Sequence, residues 1–405
     1  MYTIIIFWFS VGIILYVYII YPFLIAFLAK LRTKPAHKRQ IYPSVTLLVA
    51  AYNEDEVIRE KIENSLNLDY PKDKLEIAIL ADGSTDKTCS IVKEYAGKGV
   101  SLYYQSDRKG KTAALNRVVP LTHGEIILFS DANNIFRLDV VSKLACNFAD
   151  PNVGAVTGKK ILFKTKSALG ESENLYWRYE SLIRTNESQF NSTTGVVGEI
   201  LAVRRELYAP LSESVINDDF FIAMEVIKRG YRVIYEPEAI SEEMPSASIR
   251  DESVRRARIS AGYYQLIGDL LLLVPSAPFF VFQAVSHKFL RPFIPFFMII
   301  AFLINTILAI QQPFTNNKFI FFIIGQAFFY FFAFFGGSLY ILGIKSKLLY
   351  VPFYFCITNF SYIVGFYKFL FGRQTAIWGK ALRESKQGAS KYIKPLTTNK
   401  IGKKD

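Results

Sequence analysis

The sequence predicts an α/β domain with a mostly parallel sheet, set between apolar N-terminal and C-terminal segments long enough to cross a membrane. Three observations carry this: an uncharged run from Tyr2 to Ala29, a repeat of strand, loop and helix from about Val45 to about Gln265, and a return to apolar stretches after Gln265. Composition agrees. Of 405 residues 51% are hydrophobic, with 35 Phe and 24 Tyr, and the formal net charge is +13. The basic residues flank the apolar runs and form no arginine–aromatic surface, which suits juxtamembrane Lys and Arg and argues against a nucleic-acid partner. Three widely separated cysteines, Cys89, Cys146 and Cys356, show no metal spacing, and three His argue against His-based metal or triad chemistry.

The run from Tyr2 to Ala29 can cross a hydrocarbon core of about 30 Å. It lacks a basic leading region and a small-residue cleavage site, so it reads as a retained anchor rather than a signal peptide. Lys30, Arg32, Lys34, Lys38 and Arg39 follow it and place its C-terminal side in the cytoplasm. Val45 to Ala51 is an apolar run ending in small residues, as a buried strand requires. Glu54 to Asn67 has helical spacing, and Leu75 to Leu80 is a second strand. It ends at Asp82-Gly83-Ser84-Thr85-Asp86, where Ser84 or Thr85 can cap the next helix. Gly124 to Ser130 is a further strand, ending at Asp131. In such sheets ligands sit beyond the carboxyl ends of the strands, where the polar residues of this domain cluster.

Beyond the domain, Leu270 to Val285 is broken by Pro275 and Pro278 and ends in His287-Lys288, as an interfacial or broken helix would. Phe293 to Ile310, Phe319 to Leu342 and Leu349 to Phe371 are each long enough to span. The expected division is therefore an anchor at 1–30, the α/β domain at 40–265, an interfacial or broken helix at 266–290, transmembrane helices at 291–372 and a basic tail at 373–405. Three spans after a cytoplasmic domain would leave the basic tail outside, against the positive-inside rule. Either the Leu270 segment crosses, or a late segment is re-entrant, or the tail breaks the rule.

Six constellations carry chemistry. Ala51-Tyr52-Asn53-Glu54 and Asp82 to Asp86 end successive strands; a carboxylate there can accept from a base N–H or a ribose hydroxyl, and Gly83 lets a backbone approach a ligand. Each alone is also a helix cap; together they suggest one nucleotide pocket. Lys109 to Asn116 offers Lys111 after Gly110 at a helix start, suited to phosphate, without the second glycine of a Walker A loop. Asp131-Ala132-Asn133 places two oxygen donors on one side of an extended segment, a reasonable Mg²⁺ or Mn²⁺ site beside a diphosphate, or else an ordinary loop. In Asp218-Asp219 neighbouring carboxylates can split their pKa values and leave one as a base; a plain helix N-terminus is the bland alternative. Arg255 and Arg258 share a helical face and can grip a diphosphate, or form a basic strip at a membrane surface.

In order and spacing these motifs resemble the family 2 glycosyltransferases, in the membrane branch that includes cellulose, hyaluronan and poly-N-acetylglucosamine synthases. The resemblance covers roughly residues 40–385 and takes in Tyr176 to Glu180, Thr194 to Arg205, Ser286-His287-Lys288, Arg291-Pro292 and Gln374 to Trp378. It implies a GT-A (Rossmann-like) fold, a nucleotide-sugar donor, specifically a UDP-sugar, and Mg²⁺ or Mn²⁺. It implies that Ala51, Tyr52, Glu54, Asp82, Lys111, Asn116, Asp131, Arg255 and Arg258 bind the donor, and that Asp131 and Asn133 hold the metal. Asp219, with Asp218 beside it, aligns with the catalytic base of a direct displacement that inverts the anomeric carbon.

Two departures bear on the product. The family's aspartate-any-aspartate motif is here Asp131-Ala132-Asn133. Its Gln-x-x-Arg-Trp is here Arg255-Arg256-Ala257-Arg258-Ile259, keeping the arginine and losing the Gln and Trp. The leading expectation is addition to a growing exopolysaccharide or capsule chain by a multi-pass cell-membrane enzyme with a cytoplasmic catalytic domain, with room for accessory export subunits. Single-sugar transfer to a lipid-linked acceptor is the alternative that the lost Trp favours. A nucleotide-binding membrane sensor or transport component would use a degenerate form of the fold, but Asp82, Asp131 and Asp219 are all present.

Overall fold

The computed structural model describes residues 1–163, 168–311, 318–344 and 346–376. The end of the Gln374 to Trp378 motif and most of the basic tail lie outside the described residues.

The chain opens with α1 (Tyr2–Leu15) and α2 (Tyr21–Leu31), joined through a π turn at Tyr16–Ile20. The α/β domain then builds one eight-stranded sheet from β1 (Val45–Ala51), β2 (Leu75–Asp82), β3 (Val100–Gln105), β4 (Ile126–Asp131), β5 (Asn134–Phe136), β6 (Val153–Leu162), β7 (Leu201–Arg204) and β8 (Arg232–Glu243). The order is β3-β2-β1-β4-β7-β6-β8-β5. The first four strands are parallel; β7 runs antiparallel to both β4 and β6, β6 and β8 are parallel, and β5 is antiparallel to β8. The parallel expectation holds for the first half, and the sheet as a whole is mixed.

Both faces of the sheet are covered, which is why β1 is apolar nearly throughout rather than alternating. On one face Val45, Leu47 and Val49 pack with α3 (Ile58–Leu66), α4 (Thr88–Lys93) and α6 (Val140–Ala145). On the other, Leu48, Ala78 and Leu80 share a core with Ala114 and Leu115 of α5 (Lys111–Val118). The helix expected over Glu54 to Asn67 starts only at Ile58, because Asn53 adopts a left-handed φ of 53° and the loop after it is tied to the next strand end. Neither Ser84 nor Thr85 caps α4. The Asp86 carboxylate accepts from Thr88 N at 2.9 Å and from Asp55 N at 3.1 Å, while Ser84 Oγ accepts from Asn53 N at 3.1 Å.

The remaining helices join the domain to the apolar segments. They are α7 (Ala168–Phe190), α8 (Asp218–Lys228), α9 (Ile249–Gln265), α10 (Ile267–Leu271), α11 (Pro278–Ala284), α12 (Ile294–Gln311), α13 (Lys318–Ile341) and α14 (Lys347–Leu370). The segment from Leu270 to Val285 is broken, as its prolines predict, and its pieces sink into the domain: Leu270 and Phe280 are fully buried against α8. Among the described residues, Tyr2–Leu31, Pro278–Gln311, Lys318–Ile341 and Leu348–Leu370 are the stretches long and apolar enough to cross a membrane. The first three meet where Phe7 packs on Leu308 and Phe319.

The last stretch behaves differently. Tyr350 packs near Ile249, Tyr354 Oη accepts from Arg256 Nη2 at 2.8 Å, and the Phe366 ring lies 5.1 Å from that of Tyr264. The helix therefore runs beside α9, with Gly365 so close that a Cβ would meet the Ala257 carbonyl at 2.5 Å. Both ends of α14 stay beside the α/β domain, and Arg373 stays there with them.

Candidate active site

The parallel strands bring three loops to one edge. Ala51 pairs with Ala81 and Ala50 with Asp131, so the residues after β1, β2 and β4 emerge side by side. Asp82 is 6% exposed, and its carboxylate accepts from Lys109 N at 3.1 Å and from Gly110 N at 2.6 Å. Those bonds fix the loop that launches α5. Gly110 has a φ of 95°, which a side chain would strain, and this turn sets Lys111 at the helix start. Lys111 Nζ lies 2.7 Å from Asp131 Oδ1 and 3.8 Å from Asp218 Oδ2.

Asp218 and Asp219 open α8. Asp219 Oδ2 accepts from Gly198 N at 3.1 Å and Oδ1 from Phe220 N at 2.8 Å. A Cβ on Gly198 would sit 3.2 Å from that of Asp219, so the small residue permits the approach. Burial, helped by the neighbouring Asp218 charge, pushes the Asp219 carboxyl up to about 6, in spite of Lys111 and Arg258 nearby. Burial also pushes Asp131 upward, but the Lys111 ammonium more than reverses it and holds that carboxyl below its ordinary range. The two carboxyls are thereby shifted in opposite directions, Asp219 up and Asp131 down.

Lys111, Asp131, Asp218, Asp219, Arg255 and Arg258 all line one cavity of about 580 Å³. Arg258 Nη1 donates to the Ile216 carbonyl at 3.3 Å, and Arg255 pairs with Glu252 at 2.7 Å. Arg256, between them, turns away to Tyr354. The opposite wall comes from the membrane side: Tyr176 and Trp177 of α7, Lys288, and Lys368 and Arg373 at the end of α14. The cavity thus lies between the domain and the apolar helices.

The other sequence-selected residues stand apart from this cavity. Ala51 is buried, and Tyr52 lies under the Arg108 guanidinium, 3.6 Å from ring centroid to Cζ. Glu54 N donates to Thr88 Oγ1 at 2.8 Å. Asn116 is engaged in structure: its amide donates to Leu211 O at 2.7 Å, and its oxygen accepts from Leu211 N and Tyr208 Oη, each at 2.9 Å. Asn133 Nδ2 donates to Glu243 Oε1 at 3.0 Å, while its Oδ1 is buried with no hydrogen-bond partner. The pair Asp131 and Asn133 therefore fits a hard cation: one ionised carboxylate, and one buried carbonyl oxygen lacking a donor. Among the described residues no group of three or more His, Cys, Asp and Glu forms a metal cage, so any such site would be completed by ligand or solvent oxygens. The residues missed from sequence are Lys160 and Glu243, which come together through the pairing of β6 with β8; Gly198 and Glu199 lie in the turn before β7, inside the Thr194 to Arg205 stretch.

Comparison with known proteins agrees with this architecture. Residues 46–211 match the family described as Glycosyl transferase family 2. The probable glycosyltransferase YdaM of Bacillus subtilis (strain 168) is 29% identical over 50% of this chain and 50% of its own length. The poly-beta-1,6-N-acetyl-D-glucosamine synthase of Staphylococcus aureus (strain COL) is 26% identical over 58% of each chain. The beta-monoglucosyldiacylglycerol synthase of Nostoc sp. (strain PCC 7120 / SAG 25.82 / UTEX 2576) is 31% identical over 57% of this chain and 52% of its own. The chain thus spans about half the length of the curated relatives it matches. Among solved structures, the mannosyltransferase PcManGT from Pyrobaculum calidifontis, in complex with GDP-Man and Mn²⁺, superposes with a TM-score of 0.67 and 23% identity, covering 91% of this chain and 100% of that one. That likeness gives the fold, GT-A.

Proposed function

We infer, from the family 2 glycosyl transferase domain the chain carries at residues 46–211, that it transfers a sugar from a nucleotide-sugar to an acceptor presented at the membrane, with inversion at the anomeric carbon. The observation that carries this is the single cavity shared by the Lys111–Asp131 pair, the raised Asp219 carboxyl, Arg255 and Arg258 on one wall and the membrane-side helices on the other. Asp219 takes the proton of an acceptor hydroxyl. The freed oxygen bonds to the anomeric carbon from the face opposite the leaving group as the bond from that carbon to the diphosphate oxygen breaks, and the nucleoside diphosphate departs with the bonding pair. A single displacement of this kind inverts the centre. Lys111, Arg255 and Arg258 stabilise the leaving diphosphate. Tyr52, Glu54 and Asp82 surround the nucleoside end at the neighbouring strand termini. Asp131 and Asn133 would hold Mg²⁺ or Mn²⁺, which when bound neutralises charge on the diphosphate; the likeness to a mannosyltransferase holding Mn²⁺ supports this.

The acceptor we favour is a growing polysaccharide, as in the Staphylococcus relative. Single transfer to a lipid is the second reading. It is supported by Ile259, which offers no aromatic face where the processive pattern has Trp, and by the Nostoc relative, a glycolipid synthase by name. In either case the cytoplasm is the side that Lys30 to Arg39 favour, a reading supported by Arg373, a basic residue that lines the cavity beside the α/β domain. The test is sugar incorporation by purified protein in detergent, with UDP-sugars and GDP-Man, Mg²⁺ or Mn²⁺, and Asp219→Asn alongside. One donor should yield high-molecular-weight product, lost in the variant. A single sugar on a lipid would move the assignment to the second reading, and turnover undiminished in Asp219→Asn would overturn the mechanism.

A further inference from the structure

Behind Asp131 lies a chain of buried polar side chains whose donors and acceptors alternate. Lys160 of β6, 4% exposed, donates to Glu199 Oε2 at 2.7 Å and pairs with Glu243 Oε2. Glu243 of β8, 1% exposed, presents its other oxygen, Oε1, to Asn133 Nδ2 at 3.0 Å. On the far side Glu199 Oε1 accepts from Ser241 Oγ at 2.9 Å, that hydroxyl accepts from Asn134 Nδ2 at 2.8 Å, and Lys61 Nζ donates to Asn134 Oδ1 at 3.2 Å. The polarity of the first part has no freedom. An ammonium only donates, so the Glu243 atom facing it accepts; a carboxylate only accepts, so Asn133 must turn its NH₂ to Glu243. The amide oxygen is then forced the other way, and it is this Oδ1 that remains buried without a partner, two residues along the loop from Asp131.

We propose that Glu243 is a positioning residue: held by Lys160, it orients the Asn133 amide so that its carbonyl oxygen is available, with the Asp131 carboxylate, to a divalent cation. An Asn side chain is nearly symmetric in shape, so without such a partner it would offer NH₂ and oxygen to the cation alike, and NH₂ repels a cation. The inference rests on the metal-assisted reading above.

The test reads Mn²⁺ affinity directly, by calorimetry and by the electron-spin signal of free Mn²⁺, in the presence of UDP. In Glu243→Gln, Lys160 keeps the oxygen of the introduced amide, so the introduced NH₂ faces Asn133. Asn133 must then rotate and show its own NH₂ to the cation, and affinity should fall about tenfold or more. In Asn133→Asp two carboxylates confront each other and binding is again weakened. In the double variant, Glu243→Gln with Asn133→Asp, the introduced amide donates to one oxygen of the introduced carboxylate and leaves the other free. Affinity should then return to the wild-type value or exceed it. UDP binding without metal and the thermal midpoint report on folding, and if Glu243→Gln does not fold the double variant decides. Wild-type affinity in Glu243→Gln, or a double variant as weak as Glu243→Gln, overturns the inference alone. Absence of Mn²⁺ binding in the wild type overturns it together with the metal in the proposed reaction.

Discussion

The two walls of the cavity use charge in opposite ways. On the strand-end wall the Asp131 side chain is 37% exposed and Lys111 is 21% exposed, so their pair is open to whatever enters. Behind the membrane-side wall, where Arg184 and Lys288 line the cavity, Glu180 of α7 is fully buried, with Lys288 Nζ at 2.6 Å, His287 Nε2 at 3.3 Å and Arg291 and Arg184 also paired to it. Its partner carboxylate Glu187 is fully buried as well, accepting from Tyr21 Oη at 2.7 Å and lying 2.9 Å from His287 Nδ1. Burial would push Glu180 upward, but Arg291, Lys288 and His287 hold it well below the usual carboxylate range. Similar residue types thus form an accessible charged surface on one side and a clamp joining α2, α7 and the start of the Pro278–Gln311 stretch on the other. Exposure, rather than the presence of charge, separates them.

Breaking each wall should give a different failure. Asp219→Asn keeps the shape and the bond from Gly198 N but removes the base, so turnover should fall about a hundred- to ten-thousand-fold, with the thermal midpoint little changed. Rates measured beside unfolding curves check this; a variant that loses stability in proportion to activity would place Asp219 with the structural charges instead. Glu180→Gln should do the reverse. It leaves Lys288 and Arg291 buried without their counter-charge, at a cost of about 3–5 kcal/mol. The thermal midpoint in detergent should drop sharply, and the protein that stays folded should keep its affinity for UDP. An unchanged midpoint would mean that water reaches this cluster and that the two walls are less different than their exposures indicate.

The contrast also marks what the sequence could reveal. The strand-end wall is written in consecutive residues: β1 is the run Val45 to Ala51 as read, and Asp82, Lys111 and Asp131 each sit at a strand end or helix start that local pattern predicts. Asn116 has the right position in the chain yet turns to Leu211 and Tyr208, because one turn into α5 its side chain faces the loop before α8 rather than the cavity. The membrane-side wall joins residues more than a hundred positions apart, such as Glu180 with Arg291, through α7 and a second π turn, at Val285–Phe289, that no periodicity announces. Glu243 escaped for the same reason. Its partner Asn133 is 110 positions away, and the contact exists only because β5 pairs with β8. The apolar length of α14 was plain, but its course along α9 depends on Gly365 and on the Arg256–Tyr354 bond, which hydropathy does not record.

The smallest effect expected concerns the carboxylate pair itself. With its carboxyl raised from 3.8 to about 6, Asp219 is ionised, and able to act as a base, only above that pH. Turnover should therefore rise from about pH 5 to about pH 7 and level off beyond. Its contribution to stability runs the other way. Between about 4 and 6 the unfolded chain has already released this proton while the folded protein still holds it, so that contribution is full at low pH and declines as pH rises through this window. Burial is the larger cause of the shift and the Asp218 charge the next. Asp218→Asn should then move the rising limb of the pH–rate profile to lower pH, without bringing it to the value of an ordinary aspartate, because burial remains. A profile that stays in place would mean that Lys111, 3.8 Å from Asp218, already neutralises that charge at the site where the proton is taken. Turnover lost at every pH, with the fold intact, would mean that Asp218, rather than Asp219, receives it.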